Sequence, residues 1–181
     1  INMEKNSIDI HSIKAEPWKV TLINTGETPM TGGRLLKVKE YLGNSTFCFT
    51  YGDGLSNLDI NKMIKSHKKK GLKATVTAVQ PPGRFGSLKI ENDLIKGFQE
   101  KPQGDGGWVN GGFFVLEPEV LELIDNYETV WEKEPMELLA KENQLGFYKH
   151  DDFWHPMDTL RDKKYLEKLW ESGTAPWKSW E

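Results

Sequence analysis

The sequence predicts an α/β domain built on a mixed, mainly parallel sheet, and three observations carry that expectation. Strand-like and helical segments alternate along the 181 residues with no internal repeat. The apolar run Phe47-Cys48-Phe49-Thr50-Tyr51 ends in Gly52-Asp53-Gly54, an aspartate held between glycines at the carboxyl end of a strand, where open α/β sheets place their ligands. Strand, helix and strand then follow one another over residues 47–79, the order of a crossover unit.

Each element has its own signal. Val20-Thr21-Leu22-Ile23 reads as a strand followed by Asn24-Thr25-Gly26 turn chemistry. From Thr31, taken as the N-cap, residues 32–42 have helical apolar spacing and stop at Gly43. Residues 59–70 form a second helix with Gly71 as its C-cap, and the β-branched run 74–79 is a strand. Leu88-Lys89-Ile90 and residues 94–98 flank Asn92-Asp93 as a hairpin, an antiparallel insertion in the domain. Gly111-Gly112-Phe113-Phe114-Val115-Leu116 is a further buried strand. Helices are expected over 118–125, opened by Pro118, and over 134–141, with a short strand at 145–148. The last helix covers 159–171, with Leu160, Tyr165, Leu166, Leu169 and Trp170 available for burial and Gly173 as its stop.

Composition narrows the function. A net charge of −3 and a pI near 5.9 supply no basic field for nucleic acid, and the lysines of residues 62–73 read as the solvated face of a helix. No apolar run approaches the span of a bilayer, and no cationic-then-apolar leader begins the chain, so the expectation is a soluble protein with no membrane partner. The single cysteine, Cys48, lies inside an apolar strand and reads as a buried small hydrophobe rather than a nucleophile, which favours a reducing, cytoplasmic setting.

Two isolated aspartates, Asp53 and Asp158, suit an octahedral Mg²⁺ completed by water and phosphate oxygens. Each has a plainer reading beside it: Asp53 as a turn residue next to glycine, Asp158 as an acid favoured by the dipole of the helix that follows. Gln99-Glu100-Lys101-Pro102 sets an acid and a base at the end of a strand, or forms a polar turn. Thr31-Gly32-Gly33-Arg34 presents an anion-binding candidate at a helix start, and Arg84 sits in the stiff loop Pro81-Pro82-Gly83-Arg84-Phe85-Gly86.

In their order, the segments Met-Thr-Gly-Gly-Arg, Phe-Thr-Tyr-Gly-Asp-Gly, Pro-Pro-Gly-Arg-Phe-Gly, Phe-Gln-Glu-Lys-Pro, Asn-Gly-Gly-Phe-Phe-Val and Pro-Met-Asp-Thr resemble the glucose-1-phosphate cytidylyltransferases, a branch of the sugar nucleotidyltransferases. The resemblance runs from about Glu16 into the tryptophan-rich end, and Pro-Met-Asp-Thr-Leu-Arg-Asp with that end points to the cytidylyl branch. It implies a Rossmann-like nucleotidyltransferase fold. The family's opening strand, Gly-x-Gly-Thr-Arg loop and Lys-Pro motif have no match here. Residues 1–181 are therefore expected to be a single incomplete domain, the C-terminal two thirds of such an enzyme, inactive alone.

By the same resemblance, Asp53 and Asp158 hold the catalytic Mg²⁺, with Asp53, Lys101 and Asp158 as the catalytic set. Gly52 lets the nucleotide approach, Arg34 contacts it, Glu100 accepts sugar hydroxyls, Lys101 meets the sugar phosphate, and Asn110 and Gly111 line the sugar pocket. The implied substrates are CTP and glucose 1-phosphate, the products CDP-glucose and pyrophosphate, and the setting sugar nucleotide and lipopolysaccharide biosynthesis. The resemblance also implies a homo-oligomer, with Trp170, Trp177 and Trp180 either at a subunit contact or folded back on their own domain. The alternative is a sugar-phosphate-binding or regulatory module without catalysis.

Overall fold

The central sheet is ordered β1-β6-β3-β7, from β1 (Phe47–Thr50), β3 (Ala74–Val79), β6 (Val109–Leu116) and β7 (Leu145–His150). The structure is a computed structural model, and it describes residue 4 and residues 19–81, 87–92, 94–99 and 107–180. Strands β1, β3 and β7 run one way, and β6 runs against them between β1 and β3. The sheet is thus mixed with three of its four strands aligned, and the two ends of the expected crossover, β1 and β3, are separated by β6 rather than adjacent.

Both faces are covered. On one face Phe47 and Phe49 of β1, Phe114 and Leu116 of β6 and Ala74 of β3 meet Leu35, Val120, Leu121, Ile124, Trp131 and Leu139. Phe49 stacks on Phe114 at 5.4 Å between centroids, and Trp131 meets Phe114 edge-on at 6.2 Å, geometries that aromatic quadrupoles favour. The first and third helices sit on opposite faces: α1 (Thr31–Lys37) supplies Leu35, and α3 (Ile60–Lys70) lays Met63 and His67 on the other side of β3. There Thr75 and Thr77 are fully buried, and their hydroxyls are satisfied by His67 Nδ1 at 2.8 Å and Met63 Sδ at 3.3 Å. A buried hydroxyl left unpaired would cost about 1–3 kcal/mol, so these contacts explain how threonines sit inside the layer.

Local chemistry accounts for the helices. Asp59 caps α3 by accepting from Lys62 N, and Gly71 closes it in the left-handed region at φ 64°. The expected 32–42 helix is two pieces, α1 and α2 (Lys39–Leu42), broken at Val38, with Met30 rather than Thr31 at the cap position. Residues 118–123 form a 3₁₀ helix instead of an α-helix. The next helix, α4 (Glu134–Lys141), matches its expected bounds. The expected hairpin is present as β4 (Ser87–Glu91) with β5 (Leu94–Gln99), paired antiparallel. Val20-Thr21-Leu22-Ile23 is not a strand: Val20 and Leu22 are 70% and 91% exposed, and β-branched propensity without a pairing edge does not hold a strand.

Two three-residue strands complete the fold, β2 (Gly54–Ser56) and β8 (Trp154–Pro156), paired with each other. The last helix, α5 (Leu160–Glu171), begins at Thr159 through a capping box with Asp162 and buries Leu166, while Leu160, Tyr165 and Trp170 stay exposed. Beyond it the chain turns back: Trp177 packs on Phe153 at 5.4 Å between centroids, and Trp170 faces Trp180 at 6.4 Å. Trp177 is therefore folded onto its own domain. Cys48 is exposed, correcting the expectation of a buried thiol, because β1 turns its other face to the core. Partial desolvation still raises its pKa above the ordinary thiol value, so it carries no activated thiolate. No helix among the described residues is long and apolar enough to cross a membrane.

Candidate active site

The β2–β8 ladder brings the two distant aspartates to one rim of the sheet. Gly54 pairs with Pro156, Leu55 with His155 and Ser56 with Trp154, and one step further Met157 N donates to Asp53 O at 2.7 Å. Asp53 ends the turn out of β1, and Asp158 follows Met157 directly; both residues are exposed. This rim lies at the carboxyl ends of β1, β3 and β7, the end at which open α/β sheets bind ligands.

Because β6 runs antiparallel to β1, its first residues reach the same rim. Tyr51 N donates to Gly112 O at 3.2 Å, which sets Asn110 and Gly111 beside the Tyr51-Gly52-Asp53 turn. The β3–β6 register shifts between Val76 and Ala78, and Gly112 lies in the irregular stretch at φ 77°. A Cβ there would be strained and would also stand 2.7 Å from the Tyr51 ring, so glycine is required. Asn110 closes the irregularity by accepting from Gly112 N at 2.8 Å through Oδ1. Trp154 Nε1 donates to Gly111 O at 2.8 Å, tying β8 to β6.

A polar chain that the sequence did not reveal runs behind this rim. Tyr51 Oη donates to Glu132 Oε1 at 2.5 Å and accepts from Asn110 Nδ2 at 3.3 Å. Thr31 Oγ1 donates to the other carboxylate oxygen of Glu132 at 2.6 Å and itself accepts from Trp131 N at 2.9 Å. Burial first, and then the hydrogen bond to Glu132, push the Tyr51 phenol far above its ordinary pKa, so it stays protonated and donates. Tyr51 and Glu132 are 81 residues apart, and no local motif in the sequence marks the pair.

The Asp158 side of the rim is held from two directions. Asp162 Oδ2 accepts from Thr159 N at 2.9 Å and from Thr159 Oγ1 at 2.7 Å, while Oδ1 meets His155 Nε2 at 3.2 Å. The Thr159 hydroxyl and amide, and then His155, hold the Asp162 carboxyl below its usual pKa against the opposing effect of partial burial. On the β7 side, the Ser56 hydroxyl donates to Phe153 O at 3.0 Å and accepts from Leu58 N at 3.2 Å, with His150 Nε2 3.0 Å from both oxygens.

Of the residues singled out in the sequence, Gly52, Asp53, Asn110, Gly111 and Asp158 come together at this rim. Glu100 and Lys101 lie outside the described residues, as does Arg84. Arg34 is directed elsewhere: its guanidinium donates to Thr25 Oγ1 at 2.5 Å, Gly26 O at 3.0 Å and Glu27 O at 3.2 Å, bracing that loop against α1. Gly32 and Gly33 are explained by packing, since a Cβ on Gly33 would stand 2.1 Å from Tyr127 O and one on Gly32 2.8 Å from Thr129 O. Among the described residues no three acidic, histidine or cysteine side chains cluster as a metal cage. Two exposed carboxylates at one rim nonetheless fit Mg²⁺, which keeps several waters and takes one or two protein carboxylates along with substrate phosphates.

Comparison with known proteins gives a concordant result. A family model described as nucleotidyl transferase matches residues 4–159. The chain is 55% identical over 181 residues to a glucose-1-phosphate cytidylyltransferase of Salmonella typhi, covering 99% of this chain and 70% of that protein. It is 42% identical over 166 residues to a probable glucose-1-phosphate cytidylyltransferase of Bacillus subtilis, covering 91% of this chain and 65% of the relative. In fold it is similar to the crystal structure of a putative glucose-1-phosphate thymidylyltransferase from Bacillus anthracis, with a TM-score of 0.57 at 17% identity over 80% of this chain and 62% of that one.

Proposed function

The chain belongs to the nucleotidyl transferase family, with glucose-1-phosphate cytidylyltransferases among its relatives, and from that premise we propose that the protein transfers a cytidylyl group from CTP to glucose 1-phosphate. An oxygen of glucose 1-phosphate attacks the α-phosphorus of CTP in line, the bond to the β-phosphate breaks, and CDP-glucose and pyrophosphate leave. The observation that carries the reading is the hydrogen bond from Met157 N to Asp53 O at the end of the β2–β8 ladder, which sets Asp53 and Asp158 at one rim.

Reactions of this kind need little covalent help from the protein and depend on positioning and charge neutralisation. Asp53 and Asp158 would hold Mg²⁺, which supplies charge neutralisation and orientation of phosphate oxygens. Lys101 pairs with the sugar phosphate, and Glu100 and Asn110 take sugar hydroxyls. Gly52, with open space where a Cβ would stand, lets the nucleotide approach; Gly111, packed against Val79 and Thr77 of β3, lines the sugar pocket; and Arg34 shapes the nucleotide side through the loop it braces.

The test is magnesium-dependent pyrophosphate release from CTP and glucose 1-phosphate by the full-length protein. Asp53→Asn should lower kcat by roughly 10²–10³, the range seen when one preorganised electrostatic contact is removed. A variant turning over at the wild-type rate removes Asp53 from the mechanism. Lys101→Ala should raise the Kd for glucose 1-phosphate, measured by calorimetry, about 10- to 150-fold while CTP binding is kept, one charge-assisted contact being worth about 1.5–3 kcal/mol. Equal loss of both ligands refutes that assignment.

A further inference from the structure

We infer that Glu132 and Tyr51 are a positioning pair that orients the Asn110 carboxamide for the sugar 1-phosphate, an inference that rests on the functional reading above. The direction of the hydrogen-bond chain leads there. An ionised carboxylate only accepts, so the Tyr51 hydroxyl proton points at Glu132, where Oη lies 2.5 Å from Oε1. The phenol oxygen is left with lone pairs, which an amide N–H meets and an amide oxygen does not. Asn110 supplies that N–H through Nδ2 at 3.3 Å, and at its other end Oδ1 accepts from Gly112 N at 2.8 Å.

Turning the carboxamide over would set donor against donor at Gly112 and acceptor against acceptor at Tyr51, so the acceptor oxygen that Glu132 offers Tyr51 helps fix which way Asn110 faces. Asn110 is exposed at the rim, with its second Nδ2 hydrogen and a remaining Oδ1 lone pair available to a ligand with both donor and acceptor groups, as a sugar hydroxyl has. Glu132 is in turn immobilised by Thr31 Oγ1 at 2.6 Å, and Thr31 by Trp131 N at 2.9 Å. The carboxylate is therefore held by α1 and by the turn before α4, and among the described residues it reaches Asn110 through Tyr51.

The experiment is steady-state kinetics and calorimetry on the full-length protein. Tyr51→Phe should raise KM for glucose 1-phosphate about fivefold, as the loss of one neutral hydrogen bond does, with KM for CTP and kcat changed less than about twofold. Glu132→Ala should act in the same direction, and Glu132→Gln, which keeps an acceptor for Tyr51, should recover at least about half of that loss. In a double-mutant cycle, Tyr51→Phe should add nothing to Asn110→Ala, because its effect passes through Asn110. An unchanged sugar KM in Tyr51→Phe, an equal rise in both KM values, or full additivity with Asn110→Ala overturns the inference. Asp53→Asn separates this failure from the larger one: if it turns over like the wild type, or the wild type shows no sugar-dependent pyrophosphate release, the functional reading itself falls.

Discussion

Replacing Gly33 by alanine would drive a methyl group into a backbone carbonyl, since the built Cβ stands 2.1 Å from Tyr127 O, 2.6 Å from its carbon and 2.7 Å from its Cα. Ordinary van der Waals contact requires the chain at Tyr127 to retreat by roughly 1 Å or more. That retreat strains the Met30 N to Tyr127 O hydrogen bond of 2.9 Å and the adjacent Gly33 N to Thr129 O bond of 3.3 Å. Two bonds at about 0.5–1.5 kcal/mol each, plus about 1–3 kcal/mol for overpacking, make a loss of about 2–6 kcal/mol. Urea unfolding followed by intrinsic tryptophan fluorescence should show a lower midpoint at unchanged m, and Tm should fall by about 5–20 °C. Gly32→Ala, whose Cβ would meet Thr129 O at 2.8 Å, should lose less. If Gly33→Ala keeps its unfolding free energy within about 0.5 kcal/mol and loses only nucleotide binding, the packing account is wrong and the glycine pair serves an anion instead.

Phe114→Ala removes a ring that is 1% exposed and contacted by Phe49, Tyr51 and Trp131, so it should cost about 3–5 kcal/mol in chemical denaturation. Asp162 has a folded pKa below its unfolded one, so its stabilising contribution is present above about pH 4 and lost as pH falls through the folded value. The stability gap between wild type and Asp162→Asn should therefore be present above about pH 4 and close on acidification below it, as followed by thermal melts. A gap that persists into strong acid would mean that the Thr159 and His155 contacts do not favour the ionised form.

Much of the architecture was legible because it is written in short-range chemistry. Residues 59–70 with Gly71 as the stop became α3, residues 134–141 became α4, and the β-branched run 74–79 is β3. What failed depended on partners distant in the chain. Val20-Thr21-Leu22-Ile23 has strand composition without a ladder, whereas β2 and β8, three residues each and poor in signal, exist because each supplies the other's edge. Thr31 carries the chemistry of an N-cap, but its hydroxyl is drawn to Glu132, a hundred residues on, and the helix begins one residue earlier than expected. The same distance hid Glu132 from the candidate site. The aspartates were visible as isolated acids beside turns, and the resemblance set them on one ion, but the β2–β8 register that brings their backbones to one rim left no local signal.

That register also has a consequence for the order in which the protein takes shape. Gly54 and Pro156 close a loop of about a hundred residues, so the ladder forms only after most of the intervening chain is in place and its closure entropy has been met. During synthesis the early aspartate waits, without its counterpart, until nearly the last helix has emerged. The β2–β8 ladder is thus among the later contacts of the domain to form, since β8 emerges only after all four strands of the central sheet.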